Sequence, residues 1–380
     1  MAGIFKAVSI LIVLIGISAC SKKIQLNYNL EDNQDWTSFG KNPARNFYID
    51  EVLGDDFQKL WEYSTSAGTH LTSVTVKDSV VFIGNLRGRV HAIDLMNGNK
   101  IGEIDVKSPI YSSVQVTGNE IIVATAGNKS NSQKIIWYDF VNGKETRSFE
   151  VCSSVENEII SIGDNVFVSC TDGTLLLLNR NNNVVWRRNI PTKFYSNPSS
   201  DGEVIISAGI DGKVYCLDFK TGKIIWEFRS SSPIFSGTVI KDNFVFVGNN
   251  TGDLYKIDIK NGNQIWKFNC QSKISALPTL DDLHIYIGTL SGDIYALDMS
   301  DGKLVWRRNV GGVVNNSILA FANKLIVPIL NRNVAILSKY DGNLLKNIEF
   351  PGRVKLSPVY VQNKIIFGCD DDLIIAYEIK

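Results

Sequence analysis

Residues 296–306 read ALDMSDGKLVW, and the same pattern occurs repeatedly along the chain. Forty residues earlier stands KIDIKNGNQIW (256–266), and forty before that stands CLDFKTGKIIW (216–226). The pattern recurs at intervals of 45, 40, 39, 40, 40 and 40 residues, measured on Gly98, Gly143, Asn183 in place of a glycine, Gly222, Gly262, Gly302 and Gly342. A period of about 40 residues is typical of a repeat architecture.

Each repeat contains short runs that are rich in β-branched and aromatic residues. FVFVG (244–248) and HIYIG (284–288) are examples, and each is followed by a Gly-Asp turn and a second run such as LYKID or IYALD. Alternating runs separated by Gly, Asn and Asp are hairpin signals. A third strand carries the tryptophan, and a fourth lies upstream, around 232–240 in one repeat. Four short strands per repeat predict the blade of a β-propeller.

The two ends of the repeat region predict how the ring closes. Seven units are complete, and an eighth (354–380) has three strands before the chain stops. The missing strand matches DFQKLWEYS (56–64), which resembles the tryptophan-bearing strand but has no blade before it. The sequence therefore predicts an all-β, eight-bladed β-propeller over residues 56–380, closed by an N-terminal strand that completes the last blade.

The residues that recur once per blade are interpreted as blade-docking residues. The aspartate lies where a strand enters a turn and can accept turn N–H groups, and the glycine permits a positive φ. The tryptophan is large enough to bridge two blades and to supply much of their apolar contact. The predicted set is Trp61, Trp186, Trp226, Trp266, Trp306, Asp218, Asp258, Asp298, Gly222, Gly262 and Gly302.

The N-terminus has the composition of a bacterial secretory signal. MAGIFKAVSILIVLIGISAC (1–20) has one lysine, an apolar stretch and small residues before Cys20. The ending ISAC resembles the lipobox of bacterial lipoproteins, which implies cleavage after residue 19 and lipidation of Cys20. The alternative is an uncleaved membrane anchor, for which the apolar run is short. Residues 20–55 would then form the lipidated N-terminus, a polar tether over 21–35 and the segment that leads into the propeller. Ser21 is not the aspartate that retains many lipoproteins at the inner membrane, so the outer membrane is the predicted location.

Composition and motifs argue against several other functions. The chain has 39 basic and 39 acidic residues, which gives no reason to expect a nucleic-acid partner. Five cysteines remain after Cys20, so they cannot all pair, and no CxxC occurs. The three histidines are far apart, and neither a phosphate-binding loop nor a metal-binding motif is present. No catalytic residue, metal or cofactor is predicted.

The repeat resembles that of a known superfamily. CLDFKTGKIIW resembles the tryptophan-docking motif of the pyrroloquinoline quinone (PQQ) dehydrogenases, A-x-D-x-x-x-G-K-x-x-W. DWTSFGKNPARNFYI (35–49) is similar to the segment that precedes such propellers, with Trp36, Asn42 and Arg45 in the expected order. Two branches share this repeat, the quinoprotein alcohol dehydrogenases and the outer-membrane assembly lipoproteins of the BamB type.

The dehydrogenase branch implies residues that can be checked. The resemblance implies that enzymes of this branch are longer propellers with a lid over the cofactor. They would carry adjacent cysteines against the PQQ plane, a Glu/Asn/Asp set that holds Ca²⁺, and an aspartate base. This sequence has no adjacent cysteines and no large insertion, and its densest acidic cluster, CDDDL (369–373), falls in a predicted hairpin turn. The sequence therefore predicts a protein that is not an enzyme, and a PQQ-dependent dehydrogenase remains as an alternative.

Resemblance to the assembly lipoproteins implies a periplasm-facing scaffold that binds a BamA-type β-barrel insertase, as a monomer within a complex. In that branch the contacts come from loops between neighbouring blades, which correspond here to 190–198 and 230–237. The predicted partner-binding residues are Lys193, Phe194, Tyr195, Ser231 and Ser232. The Leu, Arg and acidic residues that the family uses there are not matched. Phe194 and Tyr195 could instead begin an inner strand and face the core. A further alternative is a propeller that binds another envelope protein or a polysaccharide.

Overall fold

The computed structural model describes residues 22–26, 35–127, 133–151 and 153–380, and every regular element in these ranges is a β-strand. The first two strands are β1 (Tyr48–Ile49) and β2 (Phe57–Ser64). Blade 1 contains β3 (Thr75–Lys77), β4 (Val80–Gly84), β5 (Arg89–Asp94) and β6 (Lys100–Asp105), and blade 2 contains β7 (Gln115–Thr117), β8 (Glu120–Ala124), β9 (Lys134–Asp139) and β10 (Lys144–Glu150). Blade 3 contains β11 (Ile160–Ile162), β12 (Asn165–Ser169), β13 (Thr174–Leu178) and β14 (Val184–Asn189), and blade 4 contains β15 (Ser199–Ser200), β16 (Val204–Ala208), β17 (Lys213–Asp218) and β18 (Ile224–Arg229). Blade 5 contains β19 (Thr238–Lys241), β20 (Phe244–Gly248), β21 (Asp253–Asp258) and β22 (Gln264–Asn269), and blade 6 contains β23 (Thr279–Leu280), β24 (His284–Gly288), β25 (Asp293–Asp298) and β26 (Leu304–Asn309). Blade 7 contains β27 (Leu319–Phe321), β28 (Lys324–Ile329), β29 (Asn333–Ser338) and β30 (Leu344–Glu349), and blade 8 contains β31 (Val359–Val361), β32 (Lys364–Cys369) and β33 (Leu373–Ile379).

Ring closure follows the prediction from the sequence. Within the described residues the strands form eight sheets, and six of them are antiparallel sheets of four consecutive strands. The seventh contains the antiparallel strands β27 to β30 and adds β1, which pairs parallel to β27. The eighth has the order β2-β33-β32-β31, with Trp61 paired to Ala376 across the two ends of the chain. The predicted eight-bladed propeller is therefore confirmed, because closure by the first long strand joins blade 8 to the beginning of the ring.

The burial of each strand depends on its radial position. The second and third strands of a blade are buried on both faces, because blades pack on either side of them; β20 (FVFVG) is buried over four of five residues. The fourth strand lies at the rim and buries mainly its tryptophan, as in β18, where Trp226 is the buried residue of IIWEFR. The core is thus a set of contacts between neighbouring sheets rather than one central cluster.

Each predicted tryptophan spans the joint to the next blade. Trp226 donates from Nε1 to the Ile259 carbonyl at 2.8 Å, and its ring lies on Gly262, where an added Cβ would come within 2.7 Å of the ring. Gly262 also has a φ of +76°, so both its conformation and the close approach require glycine. Asp258 accepts the N–H groups of Lys260 and Asn261 at the same turn. The same hydrogen bond joins Trp61 to Leu95, Trp186 to Phe219, Trp266 to Met299 and Trp306 to Lys339.

The joint between blades 1 and 2 lacks this tryptophan. Gly102 pairs with Ala92 at the register position where Trp226 pairs with Cys216. An added Cβ on Gly102 would lie 2.7 Å from the Lys23 carbonyl oxygen, because residues 22–26 occupy the space. We call residues 22–26 the docked N-terminal segment. It lies within the stretch for which the sequence predicts a tether, so that part of the stretch is bound to the ring.

The docked N-terminal segment makes the contacts that a tryptophan makes elsewhere. Leu26 donates its N–H to the Phe140 carbonyl at 2.7 Å, and Phe140 follows the turn aspartate as Ile259 does in blade 5. Gln25 lies against Gly143, at the position where Trp226 covers Gly262. Ile24 is fully buried, and its carbonyl accepts the Tyr138 hydroxyl at 2.9 Å. A main-chain segment therefore replaces one aromatic side chain.

Introducing a charge at Ile24 should open this joint. Ile24→Asp is expected to lower the free energy of unfolding by about 2–3 kcal/mol, because it places a carboxylate without a partner in the apolar contact between blades 1 and 2. Urea unfolding measures the loss, and limited proteolysis should show faster cleavage near residue 24. The matched control is Lys22→Asp at an exposed position of the same segment, which should behave like the parent. Equal destabilisation by both variants would contradict the proposed role of Ile24.

The segment of residues 35–51, which we call the floor segment, crosses the ring and contacts all eight blades. Six of its contacts are hydrogen bonds with inner-strand backbone at equivalent positions, and these join Trp36 to Val76, Thr37 to Val116, Pro43 to Ser200, Ala44 to Ile240, Asn46 to Leu280 and Phe47 to Ala320. Arg45 reaches blade 3 through the Ile159 carbonyl, and Glu51 accepts the Tyr360 hydroxyl of blade 8. The floor segment therefore closes the axis of the ring toward one end.

Candidate docking face and central funnel

The two ends of the ring differ in the kind of connection they carry. In an antiparallel meander, the link from the fourth strand to the next blade and the turn between the second and third strands lie at the same end, which we call the loop face. One hydrogen bond ties these two connections together in every blade. Its donors are the N–H groups of Leu86, Ala126, Thr171, Ile210, Asn250, Leu290, Leu330 and Asp370, and its acceptors are the carbonyls of Gly68, Pro109, Ser154, Lys193, Pro233, Lys273, Val313 and Arg353. The loop face is therefore a regular surface on which individual side chains vary.

A cavity of about 290 Å³ opens at the loop face. Its lining residues come from the connections that precede the inner strands around the ring, so it lies on the axis, and Phe39 of the floor segment also lines it. One side is mainly apolar, with Tyr195, Phe235 and Leu277, and Leu71 of the link before blade 1 lies across the funnel from them. The other side is mainly polar and includes Ser275, Asn315, Asn316, Ser317 and Ser357. We call this cavity the funnel.

The predicted partner-binding residues have different environments. Lys193 and Ser231 are exposed on the loop face, and Ser232 and Tyr195 are partly exposed. Phe194 is completely buried against Tyr215, with ring centroids 6.0 Å apart. Its assignment as a partner-binding residue is therefore wrong, because the side chain faces the contact between blades and offers no surface.

Phe235, which the sequence reasoning did not single out, lies beside Tyr195. Their rings are stacked at 6.2 Å with an interplanar angle of 22°, and 37% of Phe235 is exposed. Lys273 Nζ lies 4.8 Å from the centroid of the Phe235 ring. The signal available in the sequence was the 40-residue offset between Tyr195 and Phe235, which places both at the same position of consecutive blades. Together they form a partly exposed aromatic pair at the rim of the funnel.

Ser231 belongs to a polar cluster at the outer part of the loop face. Its hydroxyl donates to Asp253 Oδ2, and its backbone N–H donates to the Tyr255 hydroxyl at 3.1 Å. Hydrogen bonds from Asn269 and Ser231 and the charge of Lys267 hold the pKa of Asp253 below its usual value, although burial acts in the opposite direction. Ser231 is therefore accessible but already engaged within its own blade.

Beneath the funnel lie two buried residues of opposite charge, Arg45 and Glu158. Arg45 is fully buried and donates to the carbonyls of Phe39, Ile159 and Pro198 at 2.7–3.0 Å. Glu158 is also buried; Thr72 and Ser113 donate to its carboxylate. Burial lowers the pKa of Arg45 to about 10 and raises that of Glu158, and each charge partly offsets the shift of the other. The hydrogen bonds of Arg45 fix the floor segment to blades 3 and 4.

The charges that line the funnel are few. Burial lowers the pKa of His70, which favours its neutral form, and its Nδ1 lies 3.1 Å from the Tyr111 carbonyl. Glu156 is the one carboxylate among the lining residues, all of which lie in the described part of the chain. PQQ is a planar polycarboxylate that is held with Ca²⁺, and a calcium ion needs several converging oxygen ligands. The donor set of the funnel therefore does not fit this cofactor.

The cysteines that the structure describes lie in the interior of the ring. Cys170, Cys216, Cys270 and Cys369 are buried, and burial raises the pKa of Cys216 and Cys270 to about 12 and that of Cys369 to about 11. Raised pKa values disfavour the thiolate, which is the reactive form. Cys20 and Cys152 lie outside the described residues. In the part of the chain that the structure describes, no cluster of three metal-ligating side chains occurs, and no helix is long and apolar enough to cross a membrane.

The ring, its tryptophan joints and its floor segment define a class: the eight-bladed propellers built from the tryptophan-docking repeat. Comparison with known families is more specific. The chain belongs to the family of the outer membrane protein assembly factor BamB, whose model matches residues 52–199, 171–272 and 250–380.

Individual relatives are distant. A BamB from Nitrosomonas eutropha (strain DSM 101675 / C91 / Nm57) is 25% identical over 120 residues, which is 30% of this chain and 29% of that relative. The BamB structure from Moraxella catarrhalis matches with a TM-score of 0.73 at 17% identity, covering 85% of this chain and all of that one. The quinohemoprotein alcohol dehydrogenase of Comamonas testosteroni matches with a TM-score of 0.76 at 12% identity, covering 90% of this chain and 80% of that one. The structural matches establish the fold that both branches share.

Proposed function

We propose that this chain is a non-enzymatic scaffold lipoprotein that faces the periplasm, binds the outer-membrane β-barrel assembly machinery and supports outer-membrane protein assembly. The observation that carries the proposal is the family match, which extends over residues 52–380 in three overlapping parts. The funnel adds support, because its donor set does not fit the cofactor of the dehydrogenase branch.

The loop face is the proposed docking surface for a BamA-type insertase. Tyr195 and Phe235 present a stacked aromatic pair, and Leu71, on the other side of the funnel, is 46% exposed. Aromatic residues at the centre of an interface commonly dominate its binding energy. Exposed Lys193 lies next to this pair and would lie at its polar edge.

Attachment to the membrane would come from the lipid on Cys20, in an outer-membrane lipoprotein released from a signal peptide of residues 1–19. Mass spectrometry of the purified mature protein tests this step directly. A diacylated and N-acylated cysteine at its first position is the expected result, and a chain that still carries residues 1–19 would contradict it. Since the docked N-terminal segment starts two residues after Cys20, it would place this lipid close to blades 1 and 2.

Removing the aromatic pair should release the insertase. In a crosslinked pull-down from whole envelopes, the double variant Tyr195→Ala and Phe235→Ala is expected to recover at least about tenfold less insertase than the parent, since aromatic hot spots cost more than about 1 kcal/mol each when truncated. Tyr340→Ala removes an exposed aromatic residue from the opposite end of the ring and is the matched control. Unchanged recovery with the double variant would remove the loop face from the proposal. A catch dominated by a different envelope system would instead favour a generic propeller that binds another protein or a polysaccharide.

A further inference from the structure

One turn of the ring departs from its seven counterparts in a way that blade packing does not require. The residue just before the second strand of each blade is polar in seven blades, namely Ser79, Asn119, Asp164, Glu203, Asn243, Asn323 and Asn363. In blade 6 this residue is Leu283, and 68% of it is exposed. A leucine in a tight turn, where the fold accepts asparagine, contributes nothing to the joint between blades.

Leu283 stands at the mouth of a cavity of about 340 Å³ at the end of the ring opposite the loop face. The cavity lies between the first turn of blade 6 and the tryptophan joint to blade 7. Its walls are mainly apolar and are formed by Tyr48, Tyr286, Val305, Trp306 and Tyr340. Tyr340 is 71% exposed and Val305 is 47% exposed, so large apolar side chains flank the mouth together with Leu283. Its volume is within the range typical of ligand pockets, about 300–1,000 Å³.

The base of this cavity carries a second departure from the repeat. Lys339 supplies the carbonyl that accepts the Trp306 indole N–H. Blade 3 has Arg180 at this position, and in the other six blades the residue is apolar: Leu95, Phe140, Phe219, Ile259, Met299 and Ile379. Lys339 Nζ lies 2.8 Å from Asp281 Oδ2, and the Tyr286 hydroxyl donates to the same oxygen at 2.9 Å. The side chain of Asp281 is 4% exposed. Polar groups of the base are therefore satisfied internally, and the open part of the cavity is apolar and aromatic.

The charge around the cavity is negative. Burial and the charges of Asp50, Asp281 and Asp282 raise the pKa of the Tyr48 phenol. Asp298 lies opposite His284 of the cavity wall on the neighbouring strand. Lys256 and Lys303 act on Asp298, whereas Asp50, Asp281 and Asp282 face two ammonium groups, Lys339 at Asp281 and Lys241 at 3.0 Å from Asp282. Asp282 keeps 82% of its side chain exposed, so it can still pair with an incoming cation. Aromatic rings at the mouth also favour a cationic neighbour.

We infer that this cavity is a second docking site, which takes a protein segment that presents a bulky apolar side chain flanked by lysine or arginine. The apolar side chain would enter between Tyr340 and Leu283 and cover the exposed apolar surface. Its basic neighbours would lie over Asp282 and the rings at the mouth. Because the site is at the end opposite the loop face, the propeller could hold two proteins at once.

The first test uses short peptides as probes and the folded chain as receptor. Trp306 lines the cavity, so its indole N–H resonance in a heteronuclear NMR titration reports occupancy. Acetyl-Lys-Phe-Lys-amide is expected to shift this resonance and to bind about tenfold more tightly than acetyl-Glu-Phe-Glu-amide, because each exposed ion pair changes affinity by up to about fivefold. Acetyl-Lys-Gly-Lys-amide, which lacks the apolar side chain, should leave the resonance in place. Equal affinity for the basic and acidic peptides, or no shift with the first peptide, overturns the inference.

Leu283→Asn provides the matched variant, since it restores the asparagine that blades 2, 5, 7 and 8 carry at this turn and should fold like the parent. It is expected to weaken the basic aromatic peptide by about fivefold, through loss of apolar contact at the mouth. Leu71→Asn, at an exposed leucine of the loop face, should leave that affinity unchanged. Unchanged binding to Leu283→Asn overturns the site. Recovery of the insertase in a pull-down with Leu283→Asn should equal that of the parent, so the outcome here is independent of the function proposed for the loop face.

Discussion

Arg45→Met is expected to lower the free energy of unfolding by about 3–5 kcal/mol, because it removes a buried charge that donates three hydrogen bonds. The methionine keeps much of the apolar stem, but it leaves the carbonyls of Phe39, Ile159 and Pro198 without a donor and Glu158 without its opposing charge. Urea unfolding followed by tryptophan fluorescence measures the effect. A variant with the same midpoint as the parent would show that these contacts do not stabilise the ring.

The pH dependence of the stability of Arg45→Met shows how much of the loss comes from the charge of Glu158. Burial already raises the pKa of Glu158 in the folded chain, and loss of Arg45 raises it further. A carboxyl whose folded pKa lies above its unfolded value binds a proton more readily in the folded state, so stability rises as the pH falls. Arg45→Met should therefore be less destabilised at about pH 5 than at about pH 8. Glu158→Gln in the same background should remove that difference, because no ionisable group remains at the site.

Trp226→Ala is expected to lower the free energy of unfolding by about 3–5 kcal/mol, as for other large aromatic residues removed from a core. The change deletes the ring that lies on Gly262 and the hydrogen bond to Ile259, and it leaves a cavity between blades 4 and 5. Thermal and urea unfolding give the loss. Trp226→Phe is the matched control: it keeps an aromatic ring in the joint while removing the N–H donor, and should cost less.

Gly262→Ala tests the same joint from the other side. The added methyl group would lie 2.7 Å from the Trp226 ring on a residue with a φ of +76°, so the variant should also be destabilised. In the double variant Trp226→Ala and Gly262→Ala the added methyl group no longer clashes with the indole ring, because the ring is absent. The combined loss should then be smaller than the sum of the two single losses. Strict additivity would mean that the two residues do not act on each other.

Repetition explains which parts of the fold were predictable. Trp226, Asp258 and Gly262 recur every 40 residues, so their role in the joint could be inferred by comparing blades within one chain. Gly102 breaks the pattern and, in the sequence, looks like a joint without support. That Ile24 and its neighbours fill this joint could not be predicted, because the segment lies outside the repeats and its partner is almost 80 residues away.

The site was less predictable than the fold for a related reason. The loops at 190–198 and 230–237 do lie on one face, since strand order alone determines where connections emerge. Strand alternation did not determine which of Phe194 and Tyr195 points outward, because the inner strand that follows them is only two residues long. Leu283 illustrates the opposite case, in which a departure from the repeat identifies a residue that the ring itself does not require.

The floor segment bears on how a ring of this kind can change during evolution. Repeat proteins gain and lose copies by duplication and deletion of a unit, and each copy here is a unit of about 40 residues. A ninth copy would widen the axis and add an inner strand without a counterpart in residues 35–51, and a lost copy would leave a hydrogen-bonding position of that segment without a partner. The number of copies in this chain is therefore set by a stretch of sequence that is not itself a copy.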